Sequence, residues 1–254
     1  MNTANWFDIK TRIVLFCILI ALNAEAQTPI NKSIAVQSGQ KIAMHFDYPE
    51  LIRVSTWDKN EVLVTGTVSI NGGENDDAFE LQTSASNNTI LVRNEIRNMK
   101  SLPQRITVVR DGQKMVFKSK ADYKKYADQN GKDYNVMSSG VDMDIMLEVK
   151  VPRNIETRVE SVYGIVEVRD FTGPLTVEAT YGGVDAALTE RATGELTAET
   201  NYGQIYTNLE MKFSGDAVQE GDFHTSVSAK PGSGPRYSFE SKYGNVYLRK
   251  SILN

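Results

Sequence analysis

The chain has 254 residues, 41% hydrophobic and 24% charged, with a formal net charge of −4 at neutral pH. That length and apolar fraction suffice for one large or two modest domains with a buried core. The mild acidity gives no reason to expect nucleic acid as a partner, and a lone cysteine, Cys17, excludes a disulfide framework.

Lys10 and Arg12 precede the apolar run from Ile13 to Leu22, and Ala24-Glu25-Ala26 has the small-x-small form of a cleavage site. Residues 1–26 therefore read as a secretory signal peptide, with cleavage after Ala26 and a mature chain starting at Gln27. The run is too short to span a bilayer as a retained helix, so no transmembrane segment is expected after cleavage. Export leads to the periplasm or to the cell surface and exterior. Cys17 sits inside the apolar run without the small polar linker that follows a lipid-modified cysteine, which makes lipidation the weaker alternative. The mature chain then has no cysteine, and thiolate metal sites and a cysteine nucleophile are excluded with the disulfides.

Residues 27–94 form an N-terminal β-strand unit. Period-two runs at Ser33 to Gln37, Lys41 to Phe46, Leu51 to Ser55, Glu61 to Ile70 and Thr89 to Arg93 are the mark of short half-buried strands. Ser38-Gly39, Asp47 to Pro49, Asp58 to Asn60, Asn71 to Gly73 and Asn87-Asn88 punctuate them.

Residues 95–140 change character. Ten basic residues against five acidic ones give this stretch a local charge of +5 in a chain whose total is −4. Ile106 to Arg110 and Lys114 to Lys118 flank Asp111-Gly112, a hairpin signal because that pair tolerates the positive φ of a type I′ turn. Ser119 can cap a short helix from Lys120 to about Gln129, with Asp122 in its first turn, Gly131 beyond its end, and Tyr123, Tyr126 and Ala127 as a narrow packing face. The segment reads as a basic hairpin-plus-helix insertion on a β scaffold.

Residues 141–254 form a repeat domain. Val141 to Val151 alternates, Pro152 to Asn154 is a turn, and one phrase then recurs: Glu160 to Val166, Glu178 to Val184, Glu199 to Ile205 and Glu240 to Val246. Each reads Glu, small residue, any residue, Tyr-Gly, any residue, β-branched aliphatic. The Tyr-Gly pairs are 18, 21 and 41 residues apart, and the last gap is two periods. A degenerate rung is expected near Asp222-Phe223, with Phe223, Val227 and Val218 at its apolar positions. Periods near 20 with strand-turn-strand content predict an all-β fold built as a β-solenoid-like repeat, each coil burying its inward face on its neighbours.

Four residues before each tyrosine stand Val159, Val177, Ala198 and Phe239, and two before stand Ser161, Ala179, Thr200 and Ser241, an apolar or small face. Three after stand Val166, Val184, Ile205 and Val246, at the other parity. The inward register must shift at Tyr-Gly, so Gly164, Gly182, Gly203 and Gly244 are expected at the corner of each coil, accepting a bend or a positive φ. Tyr163, Tyr181, Tyr202 and Tyr243 would stack at about the 4.8 Å strand spacing, either as an aromatic ladder or as a platform for sugar rings. Glu160, Glu178, Glu199 and Glu240 fall on the opposite, outer face. Carboxylates so close repel, so they are either solvated or neutralised by the basic insertion or by divalent cations. These eight residues are the candidate ligand-facing positions.

Catalytic and cofactor chemistry finds little support. His45 and His224 lie far apart in sequence with no metal-protease spacing, Gly72-Gly73 and Gly182-Gly183 lack the context of a phosphate loop, and no nucleophile elbow is present. The acid pairs Asp142 and Asp144, or Asp76 and Asp77, fall at turns or strand edges, where calcium is an alternative to simple solvation. No cofactor, metal or catalytic residue is assigned.

The run from Val149 to Ile155 leading into Val159 to Val168, followed by Leu175 to Val184 and Leu196 to Ile205, resembles the bacterial "putative adhesin" family of secreted β-strand-repeat domains. The resemblance covers roughly residues 147–250. The stretch from Ile34 to Val64 is similar to the strand unit that often precedes such repeats, and the basic insertion departs from the plain pattern. The resemblance implies a solenoid-like β fold at the cell envelope and no catalytic residues. The expected function is thus non-enzymatic binding or adhesion to an envelope glycan, surface or protein partner. One alternative is a self-associating structural or envelope-stress accessory protein, whose final edge would be guarded by Arg249 and Lys250 or paired with another chain. The other is a polysaccharide-acting enzyme on a β-solenoid, with an acid such as Asp142 or Asp222 taking part.

Overall fold

Alternation of inward apolar and outward polar residues runs through nearly every strand, and it sorts them into two sheets facing across one core. The computed structural model describes residues 27–211, 218–220 and 223–251. The leader read over 1–26, Asp222 and the side chain of Val218 lie outside the described residues.

The N-terminal strands are β1 (Thr28–Ala35), β2 (Lys41–Phe46), β3 (Leu51–Trp57), β4 (Glu61–Ile70), β5 (Phe79–Ser86) and β6 (Thr89–Ile96). The insertion supplies β7 (Arg105–Arg110), β8 (Gln113–Phe117), the helix α1 (Lys120–Asn130) and β9 (Val136–Gly140). Then follow β10 (Met143–Pro152), β11 (Thr157–Ser161), β12 (Ile165–Val168), β13 (Leu175–Ala179), β14 (Val184–Leu188), β15 (Glu195–Thr200), β16 (Ile205–Thr207), β17 (Val218–Glu220), β18 (Thr225–Ala229), β19 (Arg236–Ser241) and β20 (Val246–Lys250). One sheet has the order β1-β4-β10-β3-β12-β14-β20-β16, and the other β17-β18-β15-β19-β13-β11-β2-β6-β5.

The all-β expectation holds: among the described residues α1 is the one α-helix, beside three 3-10 turns of three residues each. The expectation of a simple solenoid does not. Each Tyr-Gly phrase does carry the chain from a strand of the second sheet to one of the first, as β11 to β12, β13 to β14, β15 to β16 and β19 to β20. The rungs also stack in parallel register, Val159 beside Val177 and Val177 beside Phe239. The stacking order, however, is not the chain order: β19 and β20 lie between β13/β14 and β15/β16. Antiparallel pairs at the flanks make both sheets mixed: β1 with β4, β4 with β10, β5 with β6, and β18 with both β15 and β17.

This order corrects two finer readings. In place of a degenerate rung near Phe223, β17 and β18 form an antiparallel hairpin that covers β15. β20 is interior, between β14 and β16, so Arg249 and Lys250 guard no edge. Arg249 instead pairs with Asp185 at 2.9 Å.

Inward side chains of both sheets merge into one cluster from Ile42 to Leu248, with Phe46, Ile52, Val166, Val177 and Phe239 essentially without solvent contact. β2 and β3 pair directly with β11 and β12, so strands from 27–94 and from the repeats share this core.

The insertion forms a separate sheet, β8-β7-β9. Asp111 (φ 51°) and Gly112 (φ 77°) make the expected tight turn. Ser119 Oγ accepts from the Asp122 backbone N–H, and the N–H of Gly131 (φ 78°) closes the helix on Ala127 O. Phe117 packs against Tyr123 and Tyr126 of α1. The sheet is fastened at the rim of the first large sheet, where Arg105 and Lys118 both engage Glu74 and Lys114 reaches Asp142 at 2.7 Å. The basic insertion therefore does not neutralise the repeat glutamates: among the described residues no ion pair joins it to them.

Candidate functional site: the Tyr-Gly edge

At the corner of each rung the chain crosses from one sheet to the other, and its geometry begins with the residue two before tyrosine. Ser161 Oγ donates to Gly164 O at 2.9 Å. Ser241 Oγ donates to Gly182 O at 2.8 Å and accepts from Gly244 N–H at 2.9 Å. Thr200 Oγ1 donates to Gly244 O at 2.9 Å and accepts from Gly203 N–H at 3.0 Å. These hydroxyls are buried, and they satisfy corner backbone groups that no strand partner reaches. Ala179 is the rung that lacks one. The preference for a small residue is thus largely a need for a small hydroxyl.

The glycines are required for a different reason from the one expected. None of the four corner glycines has a positive φ. A Cβ on Gly164 would stand 2.0 Å from Pro49 O, on Gly182 2.0 Å from Gly164 O, on Gly244 1.9 Å from Gly182 O, and on Gly203 1.9 Å from Gly244 O. The corners nest into one another, and close backbone approach excludes any side chain.

Nested corners bring the tyrosines into a column in the spatial order Tyr48, Tyr163, Tyr181, Tyr243, Tyr202, Phe223. Successive ring centroids are 6.3, 5.3, 5.1, 5.1 and 5.8 Å apart, with interplanar angles of 20°, 13°, 8°, 9° and 42°. Tyr163, Tyr181, Tyr243 and Tyr202 remain 44 to 59% exposed. Neighbouring rings cover one another's faces, so solvent meets a strip of ring edges and phenol hydroxyls. None of these four hydroxyls has a hydrogen-bond partner among the described residues, whereas Tyr206 donates to Gln204 and Tyr237 to Phe171 O.

Three residues before the tyrosines, the second sheet aligns His45, Glu160, Glu178, Glu240 and Glu199 side by side on its outer face. The four glutamates are half-buried. Arg158, two residues before Glu160 and on the same face, gives Nε to Glu160 at 2.8 Å and Nη2 to Glu178 at 2.6 Å. His45 places Nδ1 2.9 Å from Glu160 and Nε2 3.0 Å from Asp47. His224 Nδ1 lies 3.7 Å from Glu199 and 3.1 Å from Asn201 Oδ1. Glu240 has no ion pair among the described residues. The hydrogen bond from Arg158, then that from His45, holds the Glu160 carboxyl below its ordinary range. Glu178 shares the same arginine yet is pushed upward, because burial outweighs Arg158 and the charges of Glu160 and Glu240 add to it. The bond to Glu160 raises His45, against burial and with help from Asp47.

The eight candidate positions therefore lie in two parallel columns on one edge. Sequence reasoning missed Tyr48, which precedes Pro49 instead of glycine, and Phe223, which it placed inward and which caps the tyrosine column at 68% exposure. It also missed Arg158 and the histidines as the cations of the acid row. Arg158 was detectable as a base at the same strand parity as Glu160; His45 and His224 needed the cross-strand register.

Among the described residues, no group of three or more His, Cys, Asp or Glu is placed to hold a metal ion, and no helix is long and apolar enough to cross a membrane. Asp76 accepts from the Ile70 N–H at 2.6 Å and from Thr28 Oγ1 at 2.7 Å. A cavity of about 820 Å³ opens at the opposite turns beside Phe171, Leu188 and Tyr237, with Asp170 as the one carboxylate in its wall.

No family model matches the chain, and no curated protein matches it. A solved structure described as a "putative cell adhesion protein" from Clostridium sporogenes is similar over 89% of this chain and 100% of its own, at 10% identity and a TM-score of 0.44. A second, described as a "putative adhesin" from Bacteroides fragilis, is similar over 88% of this chain and 98% of its own, at 12% identity and a TM-score of 0.24. Both descriptions are in keeping with the family that the Tyr-Gly repeats resemble. At these scores neither likeness carries a functional argument, and the functional reading rests on side-chain geometry.

Proposed function

We propose that the chain is an exported, non-enzymatic adhesion protein of the bacterial envelope or cell surface, which binds a glycan, surface or protein partner through its Tyr-Gly edge. The observation that carries this is the column of six aromatic rings, five of them exposed. Contiguous exposed aromatic surface is costly to leave in water and marks an interaction site. Its regular spacing suits a partner that is itself periodic. Purified residues 27–254 are expected to bind envelope fractions, and replacement of Tyr181 and Tyr243 by Ser is expected to weaken that binding. Retention no greater than that of an unrelated β protein would overturn the proposal, as would turnover of a polysaccharide.

Self-association is the second reading, favoured by β16. Among the described residues this three-residue strand pairs on one side only, with β20, and carries the exposed Tyr206, and an open strand edge is a template for another chain. Sedimentation showing a monomer at all concentrations would remove it.

A further inference from the structure

We infer that the partner of the Tyr-Gly edge is an extended β-linked polysaccharide, uncharged or amine-bearing, laid along the tyrosine column and held by hydrogen bonds instead of ring stacking. This rests on the adhesion reading above and names its ligand class.

The stack itself decides the mode of contact. With centroids 5.1 to 5.3 Å apart and interplanar angles of 8 to 13° along Tyr163, Tyr181, Tyr243 and Tyr202, no sugar ring can enter between two of these phenols. A sugar could cover a ring face only at the ends, on Tyr48 or Phe223. What the column presents along its length is one phenol hydroxyl per rung. Packing of the rings needs no hydroxyl: Phe223 closes the column without one, its ring tilted by 42° against Tyr202 at 5.8 Å. Each unpartnered hydroxyl can both donate and accept, so the column is a row of hydrogen-bonding groups at the spacing of the rungs.

The period separates the polymer classes. An extended peptide sets side chains on one face about 6.7 Å apart, twice the strand rise, and falls out of step with this column within about three rungs. A chain of pyranose rings joined by equatorial β-1,4 bonds advances one ring in a step close to the rung spacing, presenting hydroxyls at every ring. Five steps of about 4.8 Å accommodate roughly five such units.

Charge narrows the class further. Beside the column, one residue before each tyrosine, stand Val162, Thr180, Lys242 and Asn201, and beyond them runs the row from Glu160 to Glu199. Carboxylates accept from sugar hydroxyls and pair with amines, but a uronic acid or sulfated chain would meet repulsion. Repulsion also disfavours a second copy meeting this edge face to face, because it would oppose two acid rows.

The test uses residues 27–254, with cellopentaose and chitosan pentasaccharide as probes, a β-1,4-linked glucuronate pentamer as the acidic control, and titration calorimetry as the readout. The wild type is expected to bind at least one of the first two and to bind the acidic pentamer more weakly. The fourfold variant Tyr163→Phe, Tyr181→Phe, Tyr202→Phe and Tyr243→Phe keeps the rings and should unfold at nearly the wild-type temperature, yet lose at least about tenfold in affinity. Glu178→Gln with Glu240→Gln should narrow the preference against the acidic pentamer. Undiminished binding by the fourfold variant overturns the inference. Binding of envelope fractions without binding of either sugar overturns it and leaves the adhesion reading standing, while binding of neither overturns both.

Discussion

A Cβ placed on Gly182 would stand 2.0 Å from the carbonyl oxygen of Gly164 in the adjoining rung. No rotamer relieves that contact, because both partners are backbone, and separating the rungs would disturb the nested corners on either side. Gly182→Ala is expected to destabilise the protein by about 2 to 4 kcal/mol, read as a fall in the denaturant midpoint. Gly140→Ala is the control: a Cβ there meets nothing within 4 Å, and its effect should stay within about 0.5 kcal/mol. Equal effects at the two positions would refute the close-approach account.

Ser241 serves two rungs at once, donating to Gly182 O and accepting from Gly244 N–H with no solvent exposure. Ser241→Ala leaves a buried carbonyl and a buried N–H without that partner, and the expected cost is about 1 to 3 kcal/mol. Ser241→Thr keeps the hydroxyl, as Thr200 does in its own rung, and should recover most of it. If alanine proves as stable as serine, water reaches the corner and the hydroxyl is dispensable.

The features legible in the sequence are those that short segments dictate. Asp111-Gly112 specifies its turn, Ser119 its helix start, and the parity change across each Tyr-Gly a corner, because each depends on a few adjacent residues. The order of the rungs depends on pairings across the whole chain. Tyr237 and Phe239 read as an inward pair like any other, and nothing local says that they enter between β13 and β15. Tyr48 was hidden by Pro49 and by one extra residue at its corner: Ile42, Met44 and Phe46 point inward as in the later rungs, but Ile52 and Val54 follow at the same parity, so no shift marks the corner. Of the acid row, the glutamates were visible and their cations were not: Arg158 needs only strand parity, whereas His45 needs to be known as the neighbour of Glu160.

Interior and terminal rings of the column should differ in worth. Tyr181 stacks on both sides, at 5.3 Å on Tyr163 and 5.1 Å on Tyr243, while the exposed terminal ring Phe223 has one ring neighbour, at 5.8 Å. With about 0.5 to 1.5 kcal/mol per aromatic pair, Tyr181→Ala should cost about 1 to 3 kcal/mol and Phe223→Ala about half as much. A double-mutant cycle on Tyr181 and Tyr243 isolates the pair and should give a coupling of about 0.5 to 1.5 kcal/mol. A coupling near zero would mean that the rings are aligned by their corners alone.

His45 makes the stability of the edge depend on pH in a defined direction. It faces Glu160 and Arg158 on β11, Arg93 on β6 and Asp47 at its own corner, and the hydrogen bond to Glu160 raises its pKa above the ordinary 6.5. A histidine raised on folding stabilises fully below its unfolded pKa, and that stabilisation is lost as pH rises through the folded value. Glu160, lowered from 4.5 chiefly by Arg158, works the other way: its contribution is present above the unfolded value and lost as pH falls through the folded one. Both hold between about pH 4.5 and 6.5. His45→Asn should therefore destabilise most near pH 5.5 and least near pH 8.5. Because the two side chains are 41% and 39% exposed, water screens the pair and the difference should remain under about 1 kcal/mol. Denaturant titrations of both proteins at the two pH values measure it. A gap that widens toward pH 8.5 would show that His45 acts through its packing against Asp47 and Glu160 and not through its charge.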